Sequence, residues 1–164
     1  MRRAGRPQEK RAAFRVWEAE DGDLLDVLRL CAESARFHAE LQPRFFRADG
    51  SGRRLPTRGA GRAVLLAGRV GEAPVGLAAV TLHETPVDPL LQPARRVHVE
   101  ELIVSRSARR SGCGRELVEA VRTWARRAGA EQLVLTVWDG NSDAERFYAA
   151  LGFSTVSRVL ASDV

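Results

Sequence analysis

The sequence predicts a mixed α/β fold: a mostly antiparallel central sheet flanked by helices. Three observations predict it. A glycine- and proline-containing turn near Gly71–Pro74 splits residues 62–84 into a hairpin, and a further strand-like run, residues 97–105, follows. After that run the order becomes strand, helix, strand, a unit that requires one parallel pair in the sheet. Finally, 164 residues that are 45% hydrophobic and 29% charged suit a single soluble domain with a real core.

The elements follow in order. FRVWEAE (14–20) alternates and reads as the first strand, and Asp21 or Asp23 can cap the helix after it. Leu24, Leu25, Leu28, Cys31, Ala32 and Ala35 recur at helical spacing, and Pro43 ends that helix. Residues 44–61 are polar and glycine-rich, a loop or broken helix, and the three prolines of residues 85–96 mark another loop. From Gly112 to about Arg127 a helix carries Leu117, Val118, Val121, Trp124 and Ala125 on one face, and Gly129 stops it. Residues 131–139 form a buried strand, Asn141–Ala150 a short helix closed by Gly152, and residues 153–161 a last strand. No repeat or second domain interrupts this order.

The formal charge of +5 raises the question of a polyanionic partner. Residues 1–11 hold five basic residues against Glu9 alone, so the rest of the chain is nearly balanced. The excess reads as a solvated, disordered leader over residues 1–13, with one domain over 14–164, and no nucleic-acid partner is expected. No apolar run approaches the ~20 residues of a membrane span, and no apolar stretch follows the basic start as in a secretory signal. A cytoplasmic protein is the default. Cys31 and Cys113 are far apart, with no CxxC and no histidine at ligand spacing, so free thiols and no metal site are expected. Lys10 is the only lysine among 26 basic residues, an arginine-rich usage that hints at a GC-rich bacterial genome.

Two stretches carry chemistry. In Arg109-Arg110-Ser111-Gly112-Cys113-Gly114, arginines and glycines open a helix, where successive main-chain N–H groups and the helix dipole suit an anion. The nucleotide-triphosphatase loop is excluded because Arg115 and Glu116 follow Gly114 in place of Lys-Ser/Thr, and the dinucleotide fingerprint because its third glycine is Leu117. Alone, the pattern also fits an ordinary arginine-rich turn. Further on, Asn141, Ala144 and Tyr148 fall on one face of the short helix: an amide, a small residue and a phenol. Alone, that helix also fits an amphipathic element with a buried tyrosine.

Together, LIVSRSARRSGCGRELV and NSDAERFYAALGF, joined by LVLTVW, resemble the GNAT superfamily of acyl-CoA-dependent N-acetyltransferases, over about residues 14–161. The resemblance implies the GNAT fold, with a sheet of six to seven strands. It implies acetyl-CoA as cosubstrate, its diphosphate held by Arg109, Arg110, Ser111, Gly112, Cys113, Gly114 and Arg115. Its pantetheine arm would lie along Leu102, Ile103 and Val104, with Asn141 and Ala144 beside it, and the N–H near Val104 would polarise the thioester. Tyr148 would protonate the departing thiolate, and Cys113 would be a packing residue rather than a nucleophile. An amine acceptor must lose a proton before attack. The candidate bases are Glu100 first, His98 second and Glu101 third, with strand alternation placing His98, Glu100 and Leu102 on one face and Val99, Glu101 and Ile103 on the other. His38, Phe45, Phe46 and Trp138 are the candidate acceptor contacts. The implied reaction is direct acetyl transfer to a small-molecule or peptide amine. The alternative is a GNAT-like module that binds acyl-CoA without turnover. Some members of the superfamily are homodimers.

Overall fold

A computed structural model of the chain describes residues 13–47, 56–84 and 94–162. The basic leader and most of the proline-rich loop lie outside the described residues. The elements are β1 (Arg15–Glu18), α1 (Leu24–Leu41), β2 (Arg62–Gly68), β3 (Gly76–Glu84), β4 (Arg95–Val104), α2 (Cys113–Arg127), β5 (Gln132–Leu135) and α3 (Ser142–Ala150). Among the described residues they form one sheet in the order β1-β2-β3-β4-β5. β1 to β4 pair antiparallel with their neighbours, and β4 pairs parallel with β5.

Alternation on β2 and β3 divides the core between two faces. Ala63, Leu65, Ala67, Ala78, Val80 and Val97 meet Cys113, Leu117, Val121 and Ala125 of α2. Val64, Leu66, Leu77, Ala79 and Ile103 meet Val27, Leu30 and Cys31 of α1. Helices therefore cover both faces, and each fully buried leucine, such as Leu30, Leu66, Leu77 and Leu117, contributes about 1.5–3 kcal/mol of burial. Close packing fixes how deeply α2 sits. A Cβ on Gly76 would lie 2.8 Å from both Cys113 Sγ and Leu117 Cδ1, so only glycine fits beneath the start of that helix.

Three expectations are corrected. The described sheet has five strands rather than six to seven, because residues 153–161 pair with no strand. Their alternation offers no apolar face: Phe153 and Val159 share one side with Thr155 and Ser157, and Val156 and Leu160 share the other with Ser154 and Arg158. The buried face of α1 is also different. It presents Val27, Leu30, Cys31 and Ser34 to the sheet, while Leu24, Leu25 and Leu28 are exposed at 52%, 78% and 40%. A single turn of 3-10 helix over Asp21–Asp23 precedes α1. Asp23 does not cap the helix. Its carboxylate is turned back to accept from the Glu20 N–H (2.9 Å) and Trp17 Nε1 (3.3 Å), which helps fix how α1 enters the fold.

Candidate functional site

The site begins with an irregularity in β4. Val99 stands opposite Val80 and Glu101 opposite Ala79, so Glu100 is an extra residue, a β-bulge. The bulge resets the alternation. Val97 and Val99 pack on the α2 side, and so do Leu102 and Val104, while Ile103 packs on the α1 side. Glu101 also turns to α1, where its carboxylate accepts from Ser34 Oγ at 3.1 Å. The predicted pairing of Glu100 with Leu102 and of Glu101 with Val99 therefore does not hold. Glu100 instead reaches His83 Nε2 at 3.7 Å, and the His83 and His98 rings lie 4.4 Å apart. Burial, then the neighbouring His83, holds the His98 imidazole below its ordinary value despite the opposing pull of Glu100.

Among the described residues, β4 has a free edge beyond the bulge. β5 pairs only with Arg96–Val99 and then departs, whereas β4 continues to Val104. The Ser105 N–H donates to Val75 O at 2.8 Å, toward β3. Strand alternation therefore aims the Val104 and Leu102 N–H groups into the gap that β5 leaves, while Ile103 points back toward β3. The Val104 carbonyl accepts from Arg109 Nε at 3.2 Å.

The loop after β4 is a cradle of donors. Arg110 has φ 59° and Gly112 has φ 97°. Among the described residues, the main-chain N–H groups of Arg110, Ser111, Gly112, Cys113 and Gly114 donate to no protein acceptor. Successive free N–H groups in such a turn at a helix N-terminus fit an anion of diphosphate size. Gly112 is needed for its φ, since a Cβ there would meet nothing. At Gly114 the need is space: a Cβ would lie 3.1 Å from Phe147 Cζ of α3. Arg109, Arg110 and Arg115 are all exposed at the loop, and the Arg109 guanidinium lies over the Phe37 ring at 5.2 Å. The Cys113 thiol is buried and pushed up to about 11, chiefly by that burial, so it is an inert packing group.

α3 supplies the opposite wall. Asn141 Oδ1 caps it by accepting from the Ala144 N–H at 3.2 Å, which leaves the side-chain NH2 free to donate outward. Tyr148 packs edge-on between Phe147 (5.1 Å) and Phe153 (5.4 Å). Burial first, and the Glu101 charge second, push its phenol up to about 12.

The predicted acceptor contacts form one cluster. Phe46 stacks against His38 (5.0 Å) and meets Trp138 edge-on (4.7 Å), and Phe45 lies 5.4 Å from Trp138. The His38 Nδ1 lies 3.3 Å from Ser34 Oγ, which joins the cluster to Glu101.

Sequence reading missed three residues of α1 that line this cleft: Glu33, Ser34 and Phe37. Glu33 accepts from Ser105 Oγ and from the Arg106 N–H, both at 2.8 Å, and so ties α1 to the start of the loop. Burial raises its carboxyl, but those hydrogen bonds, with the charges of Arg109 and Arg29, outweigh it and hold the group below its usual value. Positions 33, 34, 37, 38, 41 and 42 recur at helical spacing and form one mixed-polarity face. That recurrence was the available signal. A recess lined by Gly61, Leu82, Arg95, Trp124 and Gly129 lies at the other end of α2 and contains none of these groups.

An open strand edge beside a nest of N–H groups, with a buried phenol on the opposite wall, suits an extended ligand with an anionic end. The chain belongs to the acetyltransferase (GNAT) family, whose model matches residues 23–153. Among curated proteins it is 34% identical over 62 residues to an aminoglycoside N(6')-acetyltransferase type 1 of Serratia marcescens, a match covering 38% of this chain and 42% of that protein. The chain thus spans about two fifths of the curated relative it matches. Among solved structures, the BH1408 protein of Bacillus halodurans, as a tetramutant, shares the fold with TM-score 0.84 at 24% identity, over 92% of this chain and 99% of that one. An aminoglycoside N-acetyltransferase solved with CoA shares it with TM-score 0.65 at 18% identity, over 92% and 98%.

Proposed function

We propose that the protein transfers an acetyl group from acetyl-CoA to a primary amine by direct attack within a ternary complex. The single observation that carries this reading is the free edge of β4. Its outward N–H groups at Leu102 and Val104 run from the unpartnered nest at Arg110–Gly114 along the strand toward Glu101. An extended pantetheine arm fits that edge as an extra strand, its diphosphate fits the nest, and the Asn141 side-chain NH2 faces the arm. The Val104 N–H then lies where a thioester oxygen gains negative charge.

Glu101, rather than Glu100 or His98, is the base in this reading. Ser34 orients its carboxylate toward the cleft, while Glu100 and His98 turn to His83. An alkyl ammonium has pKa about 10.4, so a base must take its proton at neutral pH. Tyr148 donates a hydrogen bond to the sulfur as it leaves. A free thiol has pKa about 8.5, well below the buried phenol, but the same burial that raises Tyr148 also penalises a thiolate, so the two groups shift in one direction.

The acceptor is a small-molecule or peptide amine. The ring cluster of Phe37, His38, Phe46 and Trp138 favours an amine with an apolar body. The names of the aminoglycoside acetyltransferase relatives put aminoglycosides on the test panel beside it. The experiment is thiol release from acetyl-CoA with aminoglycosides, aromatic and aliphatic monoamines and short peptides. Amine-dependent release with N-acetylated product supports the proposal. Tight CoA binding without product from any acceptor would leave the non-catalytic binding module as the better reading.

A further inference from the structure

The bulge at Glu100 assembles a group of side chains that the transfer reaction does not use. His83 is the penultimate residue of β3, His98 lies diagonally from it on β4 opposite Thr81, and Glu100 is the extra residue two places on. One imidazole nitrogen from each histidine and one carboxylate oxygen of Glu100 lie within 4.8 Å of one another. Among the described residues, no hydrogen bond occupies any of the three side chains, and the only polar approach is the 3.7 Å contact of His83 with Glu100. His83 and Glu100 are about half exposed, so their rotamers adjust freely, whereas both backbones are fixed by the β3–β4 ladder. The nearest competing charge on this strand, Arg96, directs its Nε to Gln132 on β5 at 2.9 Å.

We propose that His83, His98 and Glu100 form a binding site for a divalent transition-metal ion, with zinc as the best fit. Two imidazoles and one carboxylate are a ligand set that suits zinc, and they disfavour calcium and magnesium, which prefer oxygen donors. Tetrahedral ligation at about 2.0–2.1 Å requires the donor atoms to close to roughly 3.4 Å from one another. Small rotations of exposed side chains supply that movement. Three protein ligands leave a fourth position open to water or to a donor atom of a bound molecule. The site lies on the α1-facing side of the sheet, next to Glu101 in sequence, so the ion would rest at the edge of the acceptor cleft. It is independent of the acetyl-transfer reading. The ligand set was hidden in the sequence because His83 lies on a different strand from the pair His98-x-Glu100.

The test uses the full chain, stripped with a chelator and titrated with zinc chloride by calorimetry. One equivalent should bind at about micromolar concentration or below, and the thermal midpoint should rise with the logarithm of free zinc. The double variant His83→Ala/His98→Ala should lose the equivalent, and Glu100→Gln, close to isosteric, should weaken it at least tenfold. Circular dichroism confirms that each variant is folded. His38→Ala and Cys31→Ser controls should bind as the parent does. Absence of a one-equivalent isotherm in the parent chain, its persistence in the double-histidine variant, or its loss in His38→Ala overturns the site.

Discussion

Burial pushes the Tyr148 phenol up to about 12, with the Glu101 charge adding to the shift. Because the folded value is raised, the proton-bearing form persists across the neutral and mildly alkaline range. The kcat of the parent chain should therefore show no alkaline decline attributable to this residue up to about pH 10, the unperturbed phenol value. Tyr148→Phe should lower kcat by about 100-fold while leaving the KM for acetyl-CoA within about twofold, since only proton donation is lost. Glu101→Gln should cost about 100-fold at neutral pH. That deficit should shrink as pH approaches the acceptor amine's own pKa, because free amine then forms without help. Steady-state pH profiles of the two variants check both outcomes. At this scale the sequence was partly legible. Tyr148, Asn141 and the loop residues stand in contiguous motifs whose spacing survives folding. Which carboxylate turns to α1 was not legible, because a one-residue bulge reverses the parity of every side chain beyond it, and nothing in VHVEELIV marks where the extra residue falls.

The loop between β4 and α2 depends on its neighbours as much as on its own glycines. Gly112 holds φ 97°, a conformation that costs a β-branched residue about 1–2 kcal/mol, so Gly112→Val should raise the KM for acetyl-CoA about tenfold. Gly114→Val should be worse, because its side chain would strike Phe147 and displace α3 together with Tyr148. Glu33 belongs to this element through its bonds to Ser105 and the Arg106 N–H. Its carboxyl is held below the usual value in the folded chain, so its stabilisation is present above the unfolded carboxylate pKa and is lost as pH falls through the folded one. Glu33→Gln should accordingly be less stable than the parent chain at pH 7, with the gap closing in acid, as thermal melts at the two pH values would show. The order of strands and helices was readable because apolar periodicity and glycine turns are local signals. The rotation of α1 was not. Leu24, Leu25 and Leu28 have the right spacing for a buried face, but the link from Trp17 and Glu20 to Asp23 helps turn the helix so that Val27, Leu30 and Cys31 meet the sheet.

Among the described residues, two groups hold their protons more tightly folded than unfolded: Cys113, raised to about 11, and Tyr148, raised to about 12. Raised values contribute stability that is complete below the unfolded pKa and lost as pH climbs through the folded one. The thermal midpoint should fall steadily from about pH 9 upward, and Cys113→Ala should flatten the first part of that decline. No helix among the described residues is long and apolar enough to cross a membrane. The predicted last strand failed at this scale because a strand is stabilised by burying one face against a neighbour, and residues 153–161 place polar groups on both faces. Gly76 has the widest reach. Its missing carbon lets α2 settle against β3, so the height of the proposed diphosphate cradle above the Val104 N–H is set from beneath by an absent methyl. That single vacancy acts as a ruler for the carrier arm: widen it by one atom, and every ligand group remains while the reach between grip and reacting carbon no longer matches the cosubstrate's length.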